Sequence, residues 1–164
     1  MGQAEFFYKD KNAPKPNRPN HIGVSVLIEY NNQLLLEHRR DSETWAVIGG
    51  GLKVDEDLLE CAIRETMEET GIQLEKTDIS FVKIYDNPTR IAKYPDGNVL
   101  RVITSVYKVV LRKKPELICS GESRELRFFS KEELVQLNIA KTHIPIIEDY
   151  VKLELTELKA RDTS

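Results

Sequence analysis

The chain has 164 residues, 40% hydrophobic and 31% charged, a composition that suits one folded domain and is too apolar for a disordered segment. A formal net charge of −3 gives no global basic field to attract nucleic acid. Two cysteines, Cys61 and Cys119, are too few for a disulfide framework, no apolar run is long enough to span a membrane, and MGQAEFFYKD lacks a signal-peptide centre.

The expected setting is therefore a reducing cytoplasm, without membrane or nucleic-acid partners. Residues 1–20 read as an extended lead-in, since KNAPKPNRPN holds three prolines and no apolar periodicity. Residues 21–160 read as a single domain that includes a C-terminal helix. Alternation and β-branching predict a strand over Ile22–Tyr30, an Asn31-Asn32 hairpin turn and a second strand over Gln33–Arg39. A short strand is expected from Trp45 to Ile48, ending at Gly49, Gly50 and Gly51.

A helix is predicted over Leu58–Thr70, with Asp57 as cap, Glu60 closing a capping box and Gly71 as the left-handed terminator. Strands follow at Ile79–Tyr85 and Val99–Leu111, joined across a Pro-Asp-Gly turn, then a short one at Leu126–Phe129. Ser130 caps a helical turn over Lys131–Gln136. A last helix from Pro145 presents Ile147, Val151, Leu155 and Leu158 on one face. Strands and helices in this order predict an α/β (α+β) fold, a mixed sheet sandwiched between helices.

The central helix carries the chemistry. At about 100° per residue, Ala62, Thr66, Leu59, Thr70, Ile63 and Met67 cluster on one arc. Glu65, Glu68 and Glu69 cluster on the roughly opposite one, spaced i, i+3, i+4. Like charges repel at this spacing unless a counter-charge is supplied. Three carboxylates at one spot suit a hard divalent cation such as Mg²⁺, and Arg64, one turn before Glu68, is placed to hold a glutamate rotamer. The plain alternative is a solvated acidic face, but the flanking glycines and the spacing argue against it.

Gly50, five residues, Glu56, seven residues, then Arg64-Glu65-Thr66-Met67-Glu68-Glu69-Thr70-Gly71-Ile72 resembles the Nudix box, G-x5-E-x7-R-E-U-x-E-E-x-G-U, with U a bulky aliphatic residue. All seven fixed letters are present. Two positions depart from the pattern: Thr66 stands at an aliphatic position, its hydroxyl expected on a backbone carbonyl one turn back, and Ile48 stands where many members have proline. The resemblance implies a Nudix-like α/β/α sandwich and Mg²⁺-dependent hydrolysis (Mn²⁺ substituting) of a nucleoside diphosphate linked to another moiety. It implies Glu65, Glu68 and Glu69 as metal ligands, Arg64 as their orienting residue and Glu56 as a support at the helix start. The glycines Gly49–Gly51 let backbone approach the site. A downstream loop carboxylate acts as ligand or base, matched by Glu122, with Glu125 as competitor.

Arg39, Arg40 and Arg90 are candidates to grip substrate phosphate, and Tyr85, Tyr94 and Phe6 candidates to stack on a base. For each the structural alternative is a solvated loop arginine or a packed ring. His21, His38 and His143 show no zinc-ligand spacing. Pro88, sixteen residues past Ile72, matches a marker of ADP-ribose pyrophosphatases and tilts the reading towards ADP-ribose or a related nucleotide sugar. A (d)NTP pyrophosphohydrolase, a house-cleaning activity and a non-catalytic nucleotide-binding regulatory module are the alternatives. An isoprenoid diphosphate isomerase is poorly supported, because Cys61 lies inside the box helix. Many relatives of this kind pair, so a homodimer is also expected.

Overall fold

A computed structural model describes residues 2–152. Eight strands run in chain order: β1 Glu5–Phe7, β2 His21–Tyr30, β3 Gln33–Arg39, β4 Trp45–Gly51, β5 Ser80–Tyr85, β6 Ile91–Lys93, β7 Val99–Leu111 and β8 Ser123–Phe129. They form one mixed sheet in the order β1-β6-β7-β2-β4-β3-β8, with β5 also on β7. β2 and β7 run parallel, while the other pairings are antiparallel.

Period-two alternation divides the strands between two cores. On one face Val24, Val26 and Ile28 of β2, Leu35 of β3 and Ile48 of β4 pack with Cys61 and Ala62 of helix α1, Leu58–Thr70. On the other, Leu27, Leu34, Leu36 and Val47 pack with Ile146, Ile147 and Tyr150 from a helical stretch over 144–152. The sheet is thus sandwiched by helices, as expected. Ile48 is wholly buried under α1, which answers the departure there with packing. Leu155 and Leu158 lie outside the described residues.

The β2–β3 hairpin turns through Asn31 and Asn32, both in the left-handed region (φ 51° and 60°), as a tight two-residue turn requires. α1 has the full Asp57/Glu60 capping box and ends at Gly71, whose φ is 77° and whose N–H donates to the Met67 carbonyl at 2.9 Å. Ser130 caps the short helix α2, Lys131–Leu134, through the backbone N–H of Glu133.

Three differences from the sequence expectations matter for the site. The lead-in contains β1, which pairs with β6, a second three-residue strand absent from the sequence reading. β4 continues through Gly49, Gly50 and Gly51 instead of ending at them. β8 begins three residues earlier than Leu126, so Glu125 sits in the strand and Glu122 immediately before it. Among the described residues, no helix is long and apolar enough to cross a membrane.

Candidate active site

A cleft of about 750 Å³ opens where α1, the glycines of β4, the end of β3 and the loop before β8 meet. Its walls carry Glu37, Arg39, Arg40, Glu65, Glu69 and Glu122, with Tyr94 and His21 at the flank. A Cβ on Gly50 would stand within 2.5 Å of the Glu65 carboxylate oxygens, so only glycine lets β4 backbone lie against that side chain. Gly49 is as constrained, since its Cβ would strike the Val24 carbonyl of β2.

Arg64 organises the acidic helix. Its Nε donates to Glu56 at 2.8 Å, one terminal nitrogen to Glu65 at 2.7 Å and to Glu68 at 3.1 Å, and the other to the Gly51 carbonyl at 3.0 Å. Glu56 also accepts from the Lys53 N–H, and the Arg64 guanidinium holds its carboxyl down to about 2. Arg64 thus ties Glu56, just before the helix, to Glu65, Glu68 and the β4 backbone.

The three helix glutamates do not converge as the angular reading expected. Two turns separate Ala62 and Glu69, so Glu69 shares the buried flank with Ala62 and Thr66 and is 7% exposed. Met67, placed on the apolar arc, is 47% exposed, and Cys61 takes a core position. Glu65 and Glu69 line the cleft, whereas Glu68 lies beside Met67 over a different depression on the helix's outer side. The Thr66 hydroxyl also departs from expectation: it is buried without a hydrogen-bond partner, whereas one turn on the Thr70 hydroxyl makes the back-bond of that kind, donating to the Thr66 carbonyl at 2.6 Å.

Glu69 accepts a long hydrogen bond from the Gly49 N–H at 3.4 Å. Burial, then the charges of Glu37 and Glu65, push its carboxyl up to about 10. Glu37, unrecognised in the sequence, is a second buried carboxyl raised mainly by burial. Its signal was present: Leu35 faces α1, and period two puts Glu37 on the same side, one step nearer the cleft. The ligating atoms of this wall are carboxylate oxygens, and the nearby guanidiniums of Arg39 and Arg64 bond Asp41, Glu65 and Glu56 and make no hydrogen bond to Glu69, so its chemistry fits a hard divalent cation. Among the described residues no three acidic, histidine or cysteine side chains already stand as a closed ligand cage. Substrate phosphate and water complete such a sphere for Mg²⁺.

The phosphate candidates separate. Arg39 lines the cleft, forked onto Asp41 at 2.8 and 2.6 Å, and Arg40 lines it beside Glu122. Arg90 does not reach the cleft: it is fully buried and donates to the carbonyls of Tyr85, Val102 and Thr142 and to the Thr104 hydroxyl. Its substrate reading is corrected to a structural one, since β5 and β6 lie end to end along β7 and Arg90 fills the notch between them.

Tyr85 is likewise packed, donating its hydroxyl to Asp149 at 2.7 Å. Tyr94 borders the cleft and meets Phe6 edge-on at 6.5 Å, with the Arg39 guanidinium 5.0 Å above the Phe6 ring. His143 is half-buried and accepts from the Val47 N–H, while His38 stacks on Trp45. Glu125 pairs with Arg127 on the surface and does not line the cleft.

The NUDIX domain family matches residues 19–150. An ADP-ribose pyrophosphatase of Methanocaldococcus jannaschii is 30% identical over 134 residues, covering 80% of this chain and 73% of that protein. The m7GpppN-mRNA hydrolase NUDT17 of Danio rerio is 41% identical over 64 residues, 35% of this chain and 21% of the relative, so the shared part is a small portion of that protein. In fold, the chain is similar to a bifunctional NMN adenylyltransferase/ADP ribose pyrophosphatase of Francisella tularensis, solved with AMP and a manganese ion. The TM-score is 0.66 at 24% identity over 84% of this chain and 43% of that one. With the family match spanning the sheet, α1 and the cleft, the chain belongs to the NUDIX family of hydrolases.

Proposed function

We propose that this protein hydrolyses the diphosphate bond of a nucleoside diphosphate linked to another moiety, with ADP-ribose or a related nucleotide sugar as the preferred substrate. The observation that carries this reading is the meeting of Glu65, Glu69, two arginines and Glu122 around one cleft beneath the box glycines. The M. jannaschii relative, named for ADP-ribose, and Pro88 support the substrate class.

Glu65 and Glu69 are the residues that would hold Mg²⁺ or Mn²⁺ in the cleft, and Glu68, bonded to the same Arg64 nitrogen as Glu65, would add its charge from the cleft's outer edge. Such an ion supplies charge neutralisation for the diphosphate and a more acidic bound water. Arg64 keeps Glu65 in place through the 2.7 Å bond and shares its other donors with Glu56 and Gly51. Arg39 and Arg40 orient the phosphates, Tyr94 flanks the nucleoside end, and Glu122 takes the proton of the attacking water on its carboxylate.

The test is incubation with Mg²⁺ and a panel of ADP-ribose, (d)NTPs and dinucleoside polyphosphates, with product identification and Glu69→Gln as control. ADP-ribose should yield AMP and ribose 5-phosphate. A preference for a (d)NTP would overturn the substrate class, and no turnover of any compound would overturn the reaction.

A further inference from the structure

Glu37 lines the cleft but has no assigned role in the hydrolysis above, and it forms a buried hydrogen bond with Ser123. The Ser123 hydroxyl donates to the Glu37 carboxylate at 2.5 Å, with Ser123 1% and Glu37 5% exposed. Ser123 is the first residue of β8, directly after Glu122. At this point the β3–β8 register slips: His38 faces Glu125 and Arg39 faces Ser123, leaving Arg124 as the extra residue of a β-bulge.

Bulges bend a strand and re-aim the side chains beside them. Further contacts hold this one. The Arg40 N–H donates to the Glu122 carbonyl at 3.2 Å, the Arg40 Nε to the Ser123 carbonyl at 3.3 Å, and the Arg124 Nε to Glu43 at 2.8 Å. Only the Glu37–Ser123 bond among these is buried, and a buried carboxylate–hydroxyl bond is the strong, directional member of the set.

We propose that Glu37 and Ser123 are positioning residues for the hydrolysis. Their bond seats the bulge at the start of β8 and thereby aims Glu122 into the cleft across from Glu65 and Glu69. A carboxylate is otherwise a poor choice at position 37, because it adds a like charge behind Glu69; as the acceptor for Ser123, 3.9 Å from the Arg39 guanidinium, it has a use. This inference rests on the proposed role of Glu122.

The experiment compares wild type, Ser123→Ala, Ser123→Thr, Glu122→Gln and the double variant Ser123→Ala/Glu122→Gln, measuring kcat and KM for ADP-ribose and hydrogen exchange of the Arg40 amide. Ser123→Ala should lower kcat by about 10–100-fold while KM stays within about twofold. Ser123→Thr, which keeps the hydroxyl, should recover most of the loss. The double variant should be no slower than Glu122→Gln alone, since both changes act through one side chain. The Arg40 amide should exchange faster in Ser123→Ala.

An unchanged kcat in Ser123→Ala, or losses that multiply in the double variant, would overturn the proposal. If wild type cleaves nothing, the functional reading fails by itself, and the Arg40 amide still decides whether Ser123 holds the Glu122 backbone.

Discussion

The cleft wall around Glu69 and the knot around Arg90 both withdraw an ionisable side chain from water, and they do so with opposite partners. Glu69 meets other carboxylates, Glu37 and Glu65, and one distant N–H, so burial drives its carboxyl up to about 10. Arg90 meets three carbonyls and a hydroxyl, and keeps its charge even though burial lowers it to about 10. Burial alone therefore says little about role. A buried charge among like charges awaits a ligand, whereas one among dipoles ties backbone together.

The sharpest way to break this comparison is Glu69→Gln. It should reduce kcat by about a hundredfold or more, beyond the range usual for residues one step from a metal. In metal-free protein it should raise the melting temperature. The sign follows from linkage: a carboxyl raised in the folded state makes stability fall as pH rises from the unfolded value towards about 10, and the amide removes that loss. A lower melting temperature for Glu69→Gln in metal-free buffer would break the contrast.

Arg90→Met should do the reverse, costing about 3 kcal/mol or more in urea denaturation by orphaning buried carbonyls. The folded fraction should keep its KM for substrate. A raised KM with unchanged stability would return Arg90 to the substrate site.

His143, close enough to Arg90 to feel its charge, extends the knot. Burial, then the Arg90 and Arg39 charges, hold its imidazole down to about 3, against 6.5 for a free one. Between those values the unfolded chain takes up a proton that the folded state refuses. Stability should therefore fall as pH drops below 6.5, by up to about 1.4 kcal/mol per pH unit from this group. Denaturation at pH 7 and pH 5 should show a smaller difference in His143→Gln than in wild type.

The smallest effect is expected at Thr66, on the buried side of the same helix. Thr66→Val removes a hydroxyl that has no partner and should be neutral or stabilising by up to about 1 kcal/mol, read from the urea midpoint.

Much of the fold was legible because local periodicity and end signals agreed. β3, β7 and α1 were bounded correctly from alternation, the Asn-Asn turn and the Asp57 and Gly71 caps. β1 and β6 were not, since three-residue strands show no period and depend on each other for pairing. The box residues were legible as a pattern, but their directions were less so. Glu69 faces inward and Glu68 outward because α1 is seated by Cys61 and Ala62, which an acidic-versus-apolar reading cannot locate. Arg90 was misplaced because nothing in DNPTRIAK records the gap between β5 and β6 that it fills. Glu37 was within reach of period-two counting from Leu35, and its apolar company in QLLLEHR concealed it.

The claim that the acidic wall is a cation site serving hydrolysis is tested most directly by following ADP-ribose hydrolysis as Mg²⁺ is titrated into chelator-treated protein, wild type beside Glu69→Gln. Turnover should be absent without the ion, rise saturably with it in wild type, and stay near background in Glu69→Gln. Hydrolysis that persists under chelation, or that the glutamine variant supports at the wild-type rate, would contradict the account.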